Sequence, residues 1–203
     1  MSSNDDKSGN QRRLSDGVQH LALLRGINVG GKNLVKMADL RVAFERMGFA
    51  GVSTYIQSGN VLFRAPRQKR EEMAARIEAE LTSSIGIEIK VVLLTEAQLK
   101  AVVKGAPRAF GGPSHLCDVI FLRKPLTTKK AFALIETRDG VDRAWSGRGV
   151  LYFSRVAAKA TRSRLNKIAS LPEYKNMTIR SWSTTTKLLA AMESSGTRCP
   201  GAA

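Results

Sequence analysis

Residues 52–64 read VSTYIQSGNVLFR, and residues 141–154 read VDRAWSGRGVLYFS. Each is a pair of short runs rich in β-branched and aromatic residues, broken by Ser-Gly or Gly-Arg-Gly, which is the pattern of a β-hairpin. The first predicts strands Val52 to Gln57 and Asn60 to Arg64 turning at Ser58-Gly59. The second predicts strands Val141 to Trp145 and Val150 to Ser154 turning at Ser146-Gly147-Arg148-Gly149. On either side of the first hairpin, His20 to Ile27 reads as a buried strand and Ala38 to Met47 as a helix, with Leu40, Phe44 and Met47 at helical spacing and Gly48 closing it. Gln68 to Ser84 then carries Met73, Ile77 and Leu81 on one stripe, and Ile87 to Leu94 is a strand.

The same order recurs around the second hairpin. Thr95 opens a helix to Lys104, with Gln98 at the capping-box position. A Gly- and Pro-rich loop, Gly105 to His115, follows. Asp118 to Arg123 is a strand, Thr127 to Thr137 a helix, Ser163 to Ser170 a helix and Met177 to Ser181 a strand. A last helix, Thr184 to Glu193, is capped by Ser183 or Thr184. The predicted class is therefore α+β: two ferredoxin-like βαββαβ halves in tandem, antiparallel sheets with helices on one face, plus a C-terminal helix. The expected organisation is a disordered arm at 1–17, a first half at 18–94, a second half with the C-terminal helix at 95–193 and a flexible tail at 194–203.

In this plan the first two strands run parallel and the third lies antiparallel between them. The exit of strand one and the hairpin tip then share one sheet edge. That brings Arg25-Gly26-Ile27-Asn28-Val29-Gly30-Gly31-Lys32-Asn33 beside Gln57-Ser58-Gly59-Asn60, and Arg123-Lys124-Pro125 beside Trp145 to Gly149. Glycines that turn backbone amides outward, with Arg or Lys beside them, suit a phosphate or another oxyanion. The plainer reading is that these are tight turns in which Arg25 and Gln57 bond to local carbonyls.

Charge points the same way. The 203 residues hold 33 Lys+Arg against 17 Asp+Glu, a net charge of +16. From Arg143 to Lys187 ten basic side chains meet one acid, Glu173. Such a run attracts anions, nucleic acid among them, or is only a solvated face. No apolar run reaches the length of a membrane span, and the first 17 residues lack the apolar segment of a secretory signal. Cys117 and Cys199 are too few and too far apart for a disulfide framework or a zinc spacing. A cytoplasmic protein is expected.

Several motifs come close to a chemistry and stop short. Gly26 to Asn33 reads G-x-x-x-x-G-K-N, one residue away from a phosphate-binding loop, but Asn33 has no hydroxyl for magnesium and the next helix starts too late. Arg148-Gly149-Val150-Leu151-Tyr152-Phe153 approaches an RNA-recognition motif, with Val150 in place of the first stacking aromatic and Tyr152 reading as core. His20 and His115 are the chain's two histidines: His20 reads as structural and His115 as a loop residue. No catalytic set, metal site or cofactor is evident.

LLRGINVGGKNLVKMADLR, YIQSGNVLF, WSGRGVLYFS and IRSWSTTTKLL together resemble the bacterial family known as domain of unknown function 1697, over Val18 to Met192. The resemblance implies two ferredoxin-like parts and no established activity. The family's late segment T-T-R-N-W-N-T is matched here at Arg180, Trp182 and Thr184, while Ser181 and Ser183 stand for asparagines. The candidate ligand-binding residues are Arg25, Gly26, Asn28, Gly30, Gly31, Lys32, Asn33, Gln57, Ser58, Asn60, Arg148, Arg180 and Trp182. The expected function is a binding module for a phosphate-bearing ligand or nucleic acid. An enzyme acting on a small phosphorylated metabolite, or a structural protein that binds partners, is the alternative. A membrane partner is not expected, and the oligomeric state is left open.

Overall fold

The computed structural model describes residues 17–28 and 34–196. Residues 1–16 of the expected arm, residues 29–33 of the glycine-rich bend and residues 197–203 of the expected tail lie outside them. The chain divides into two compact units, one running to Glu96 and resuming at Met192, the other Ala97–Ala191.

In the first unit β1 (Val18–Arg25), α1 (Met37–Arg46), β2 (Ala50–Tyr55), β3 (Asn60–Ala65), α2 (Arg70–Ile85) and β4 (Lys90–Thr95) follow in order. The sheet runs β2-β3-β1-β4 and every neighbour is antiparallel. Strand alternation puts Ala22, Leu24, Val61, Phe63, Val91 and Leu93 on one face, where α1 adds Leu40, Ala43 and Phe44 and α2 adds Met73, Ile77 and Leu81. The residues at i, i+3 or i+4 read from the sequence are the ones buried, because an amphipathic helix gains stability by covering an apolar sheet face. Phe63 meets the rings of Phe44 at 5.2 Å and Phe49 at 4.5 Å. Gly86, in the left-handed region at φ 74°, ends α2.

The second unit repeats the topology. After α3 (Glu96–Lys104) come β5 (His115–Leu122), α4 (Thr128–Leu134), β6 (Asp142–Ser146), β7 (Val150–Val156), β8 (Met177–Ser181) and α5 (Trp182–Gly196), with sheet order β6-β7-β5-β8, again antiparallel. Both sheets thus have the ferredoxin-like strand order, and the fold is α+β. Its core holds Ile120, Leu151, Phe153, Leu126, Ala131, Ile168 and Met177. α5 takes residues from both units.

Four details depart from the sequence expectation. β1 ends at Arg25 rather than Ile27, because Gly26 turns the chain at φ 81°. The first hairpin pairs Tyr55 with Asn60, so its loop is the four residues Ile56 to Gly59 and not Ser58-Gly59 alone. The helix expected at Ser163 to Ser170 is replaced by three 3-10 turns, Ala157–Arg162, Leu165–Ser170 and Pro172–Asn176. Leu165, Ile168, Leu171 and Tyr174, all packed in the core, recur every third residue, which is the 3-10 period. The Ser163 hydroxyl and the Asp142 carboxylate also capture the N–H groups of Leu165 and Arg164, at 3.1 and 2.9 Å. Finally, α5 begins at Trp182 and its cap is Ser181, whose Oγ accepts the Thr184 N–H at 3.1 Å. At its other end the helix runs on through Ser194–Gly196, residues expected in the tail.

Candidate functional site

Asn28 organises the strand-exit cluster of the first unit. It sits at φ 53°, a left-handed conformation that asparagine tolerates better than most residues. Its Nδ2 donates to the carbonyls of Val35 and Gln57, both at 3.0 Å, and its Oδ1 accepts the Val35 N–H at 2.8 Å. One amide thus joins Asn28 to Val35 and ties both to the hairpin tip at Gln57. The juxtaposition expected from topology is present for the residues flanking the bend. Gly30, Gly31, Lys32 and Asn33 themselves fall outside the described residues.

The tip is held from within. Asn60 is fully buried and donates from Nδ2 to the Tyr55 carbonyl at 3.0 Å and to Ser58 Oγ at 2.8 Å. Leu24 N–H donates to the Gly59 carbonyl at 2.8 Å. A Cβ on Gly59, at φ 69°, would stand 2.8 Å from Ile27 and 2.9 Å from Leu24. Only glycine fits that approach. Asn28, Ser58 and Asn60 thus spend hydrogen bonds on the scaffold.

What the cluster turns outward is different. Gly26 and the Gln57 side chain are exposed, and Arg25 is half-buried at the end of β1, opposite Lys90, whose ammonium lies 2.8 Å from Glu88. Two aliphatic side chains, Leu34 at 77% and Ile56 at 52%, are also exposed, next in sequence to the two residues that Asn28 holds. Ile56 adopts φ 50°, an outlying conformation for a β-branched residue.

In the second unit the Leu122 N–H donates to the Gly149 carbonyl at 3.1 Å, reproducing the Leu24–Gly59 bond. Arg148 is exposed at this tip. Beside it, Phe110 meets Trp145, Tyr152 and Trp182 edge to face at 6.2, 5.3 and 5.2 Å. A Cβ on Gly111 would come within 2.5 Å of the Trp182 indole nitrogen. The half-buried Trp182 is therefore packed between Phe110 and the Gly111 backbone. Tyr152 is 2% exposed and its hydroxyl donates to the Val102 carbonyl at 2.6 Å, so it belongs to the core and offers no stacking face. Arg180 donates to the Ile179 carbonyl at 2.9 Å, and burial pushes its guanidinium down to about 10.

The histidines are apart from both clusters' polar loops. His20 is buried and stacked on Phe63 at 5.5 Å, and burial lowers its pKa. His115 opens β5, at the opposite end of that strand from Arg123, with its ring 3.0 Å from Ser114 Oγ. It is a strand residue, not the loop residue expected. Among the described residues no group of three or more His, Cys, Asp or Glu could hold a metal ion, and no helix is long and apolar enough to cross a membrane. The Cys117 thiol accepts the Gly111 N–H at 3.2 Å, and burial raises its pKa.

Charges in the second unit are unevenly matched. Glu136 pairs with Lys167 at 2.9 Å, Glu173 with Lys130 at 3.1 Å, and Asp118 with Arg155, while Asp142 accepts the Arg138 and Arg164 N–H groups at 3.0 and 2.9 Å. Arg143, Arg148, Arg162 and Lys187 are exposed and make no ion pair with the described residues.

The chain is similar to the solved structure of a conserved bacterial protein, SP0830 from Streptococcus pneumoniae, over 87% of its own length and 99% of that chain, at 23% identity and a TM-score of 0.76. That similarity is one of fold. No functionally curated protein matches the chain. The family model described as protein of unknown function (DUF1697) matches residues 18–152, which is more than half of the sequence and includes residues 29–33, the first hairpin, the tip of the second and the Asn28 amide. The chain belongs to the DUF1697 family.

Proposed function

We propose that this protein is a cytosolic binding module for a ligand that carries phosphate, either a nucleic acid or a small phosphorylated molecule. The observation that carries the reading is the unmatched charge of the second unit. Its carboxylates are largely engaged, and Arg143, Arg148, Arg162 and Lys187 still stand exposed with no ion pair among the described residues. Exposed like charges repel one another, and an anion relieves that repulsion while releasing its own counterions. The first unit adds a rigid frame. Asn28 and Asn60 hold the strand exit and the tip together, so Arg25, Gln57 and the backbone at Gly26 are pre-organised, which lowers the cost of binding.

The test is a titration of the full chain with labelled single-stranded RNA, DNA and heparin at several salt concentrations, beside a thermal-shift screen of nucleotides and sugar phosphates. Polyanion affinity is expected to fall steeply with salt, and Arg148→Glu with Arg162→Glu to weaken it about tenfold or more. A rise in melting temperature with a phosphorylated metabolite alone supports the small-ligand form. Salt-insensitive or absent polyanion binding, with no thermal shift from any phosphorylated compound, defeats the reading.

A further inference from the structure

A cavity of about 290 Å³ lies beside the end of β7, lined by Leu116, Arg155, Thr161, Ser163, Leu165 and Asn166. It arises from local sequence. Leu116 and Arg155 are cross-strand partners in the β5–β7 ladder and share a sheet face. The chain leaves β7 directly into the first 3-10 turn, and the Ala157 N–H bonds to the Ser114 carbonyl at 2.9 Å. Residues 157–166 are thus folded back beside that face.

The polar groups around the cavity are mostly donors. Arg155 is fixed by its Nη1 contact to Asp118, and both side chains are largely buried, at 19% and 13% exposure. A guanidinium has five N–H donors. Those on Nε and Nη2 meet no hydrogen-bond partner among the described residues. Ser163 Oγ accepts the Leu165 N–H at 3.1 Å, which leaves its own proton to donate. Thr161 and Asn166 add a hydroxyl and an amide that make no hydrogen bond with the described residues, and Arg162 stands between Thr161 and Ser163 with no ion pair. Leu116, 44% exposed, and Leu165 form apolar walls. Two carboxylates flank Arg155: Asp118, whose contact to Nη1 anchors the fork, and Asp142, its cross-strand partner on β6, which accepts the Arg138 and Arg164 N–H groups; the N–H groups on Nε and Nη2 remain available. A planar guanidinium held in this way is suited to grip two oxygens of one group.

We infer that this cavity is a subsite for a small molecule bearing one carboxylate or phosphate group on a short aliphatic body, gripped by Arg155 with Thr161 and Ser163 and covered by Leu116 and Leu165. It is separate from the strand-exit cluster and does not depend on the phosphate-ligand reading above.

The full chain, labelled with ¹⁵N, is titrated at constant ionic strength with isobutyrate, with inorganic phosphate and with chloride as control. Saturable shifts of the Arg155 Nε–H and of the Ser163 and Asn166 amides are expected with isobutyrate or phosphate, with a Kd on the order of 1 mM. Which of the two saturates identifies the anion. Arg155→Met combined with Asp118→Leu removes the pair without stranding a buried charge and should abolish the shifts. Thr161→Val, at an exposed position, should weaken binding about threefold to tenfold with the fold intact. The inference is overturned if neither anion gives saturable shifts at these residues up to about 50 mM. It is equally overturned if Thr161→Val leaves the affinity unchanged, or if a folded double variant still binds.

Discussion

The two strand-exit junctions share one backbone bond and differ in everything around it. Leu24 N–H to Gly59 and Leu122 N–H to Gly149 are equivalent contacts, and both glycines sit in the left-handed region, at φ 69° and 74°. Around Gly59 the space is full, with Ile27 and Leu24 where a Cβ would go. Around Gly149 nothing lies within 4 Å. Just past the first junction, Asn28 donates to the Gln57 carbonyl and so is tied to the hairpin tip. The second is followed by a short turn in which Leu126 N–H bonds to the Arg123 carbonyl at 3.1 Å. One topology therefore yields a latched junction and an open one. The side chain after the turn decides which, because a hydrogen bond to a distant carbonyl fixes a loop that the sheet alone leaves unconstrained.

The largest expected difference separates the two glycines. Gly59→Ala combines positive φ with overlap against Leu24 and Ile27, and should cost about 3 kcal/mol in urea unfolding. Gly149→Ala faces only the conformational term and should cost about 1 kcal/mol. Equal losses would break the comparison. Next comes the latch itself. Asn28→Ala strands the Val35 N–H and the Gln57 carbonyl and should cost about 2 kcal/mol, with faster hydrogen exchange at Val35 as its local signature. Unchanged exchange there would show that the amide is not what protects the Val35 N–H.

A gain is expected at the tip. Ile56 is exposed and β-branched at φ 50°, so Ile56→Asn should stabilise the chain by roughly 1 kcal/mol. A loss instead would mean that the isoleucine side chain contributes packing that outweighs its backbone strain.

The smallest effect contrasts two matching core positions. His20 stands opposite Phe63 in the first ladder as Asp118 stands opposite Phe153 in the second. Burial lowers the His20 pKa from 6.5, so the unfolded chain binds its proton first as pH falls. Stability from this group is present above pH 6.5 and is lost on acidification below it. At Asp118 burial raises the pKa while Arg155 opposes that, which is the opposite dependence. His20→Phe should therefore flatten the decline in melting temperature just below pH 6.5. An unaltered pH profile would assign the decline to other groups.

Much of this was legible in the chain itself. Leu40, Phe44, Met73, Ile77 and Leu81 announce their helices by period, and the two glycine-bearing hairpins announce the tandem plan, because local periodicity and turn chemistry are properties of neighbouring residues. The surplus of positive charge is likewise a matter of composition. The three-residue recurrence of Leu165, Ile168 and Leu171 was present too, though it reads as a helix until the side-chain caps at Ser163 and Asp142 are seen to interrupt the N–H ladder.

Tertiary structure alone decided which polar residues face inward. Asn28 reaches a carbonyl 29 positions away, and Asp118 meets Arg155 across a ladder. Asn60 is wholly buried where the sequence presents it as a loop-tip amide. Such assignments depend on distances between segments remote in sequence, and a polar side chain looks the same in the sequence whether its hydrogen bonds serve the scaffold or remain available to a ligand.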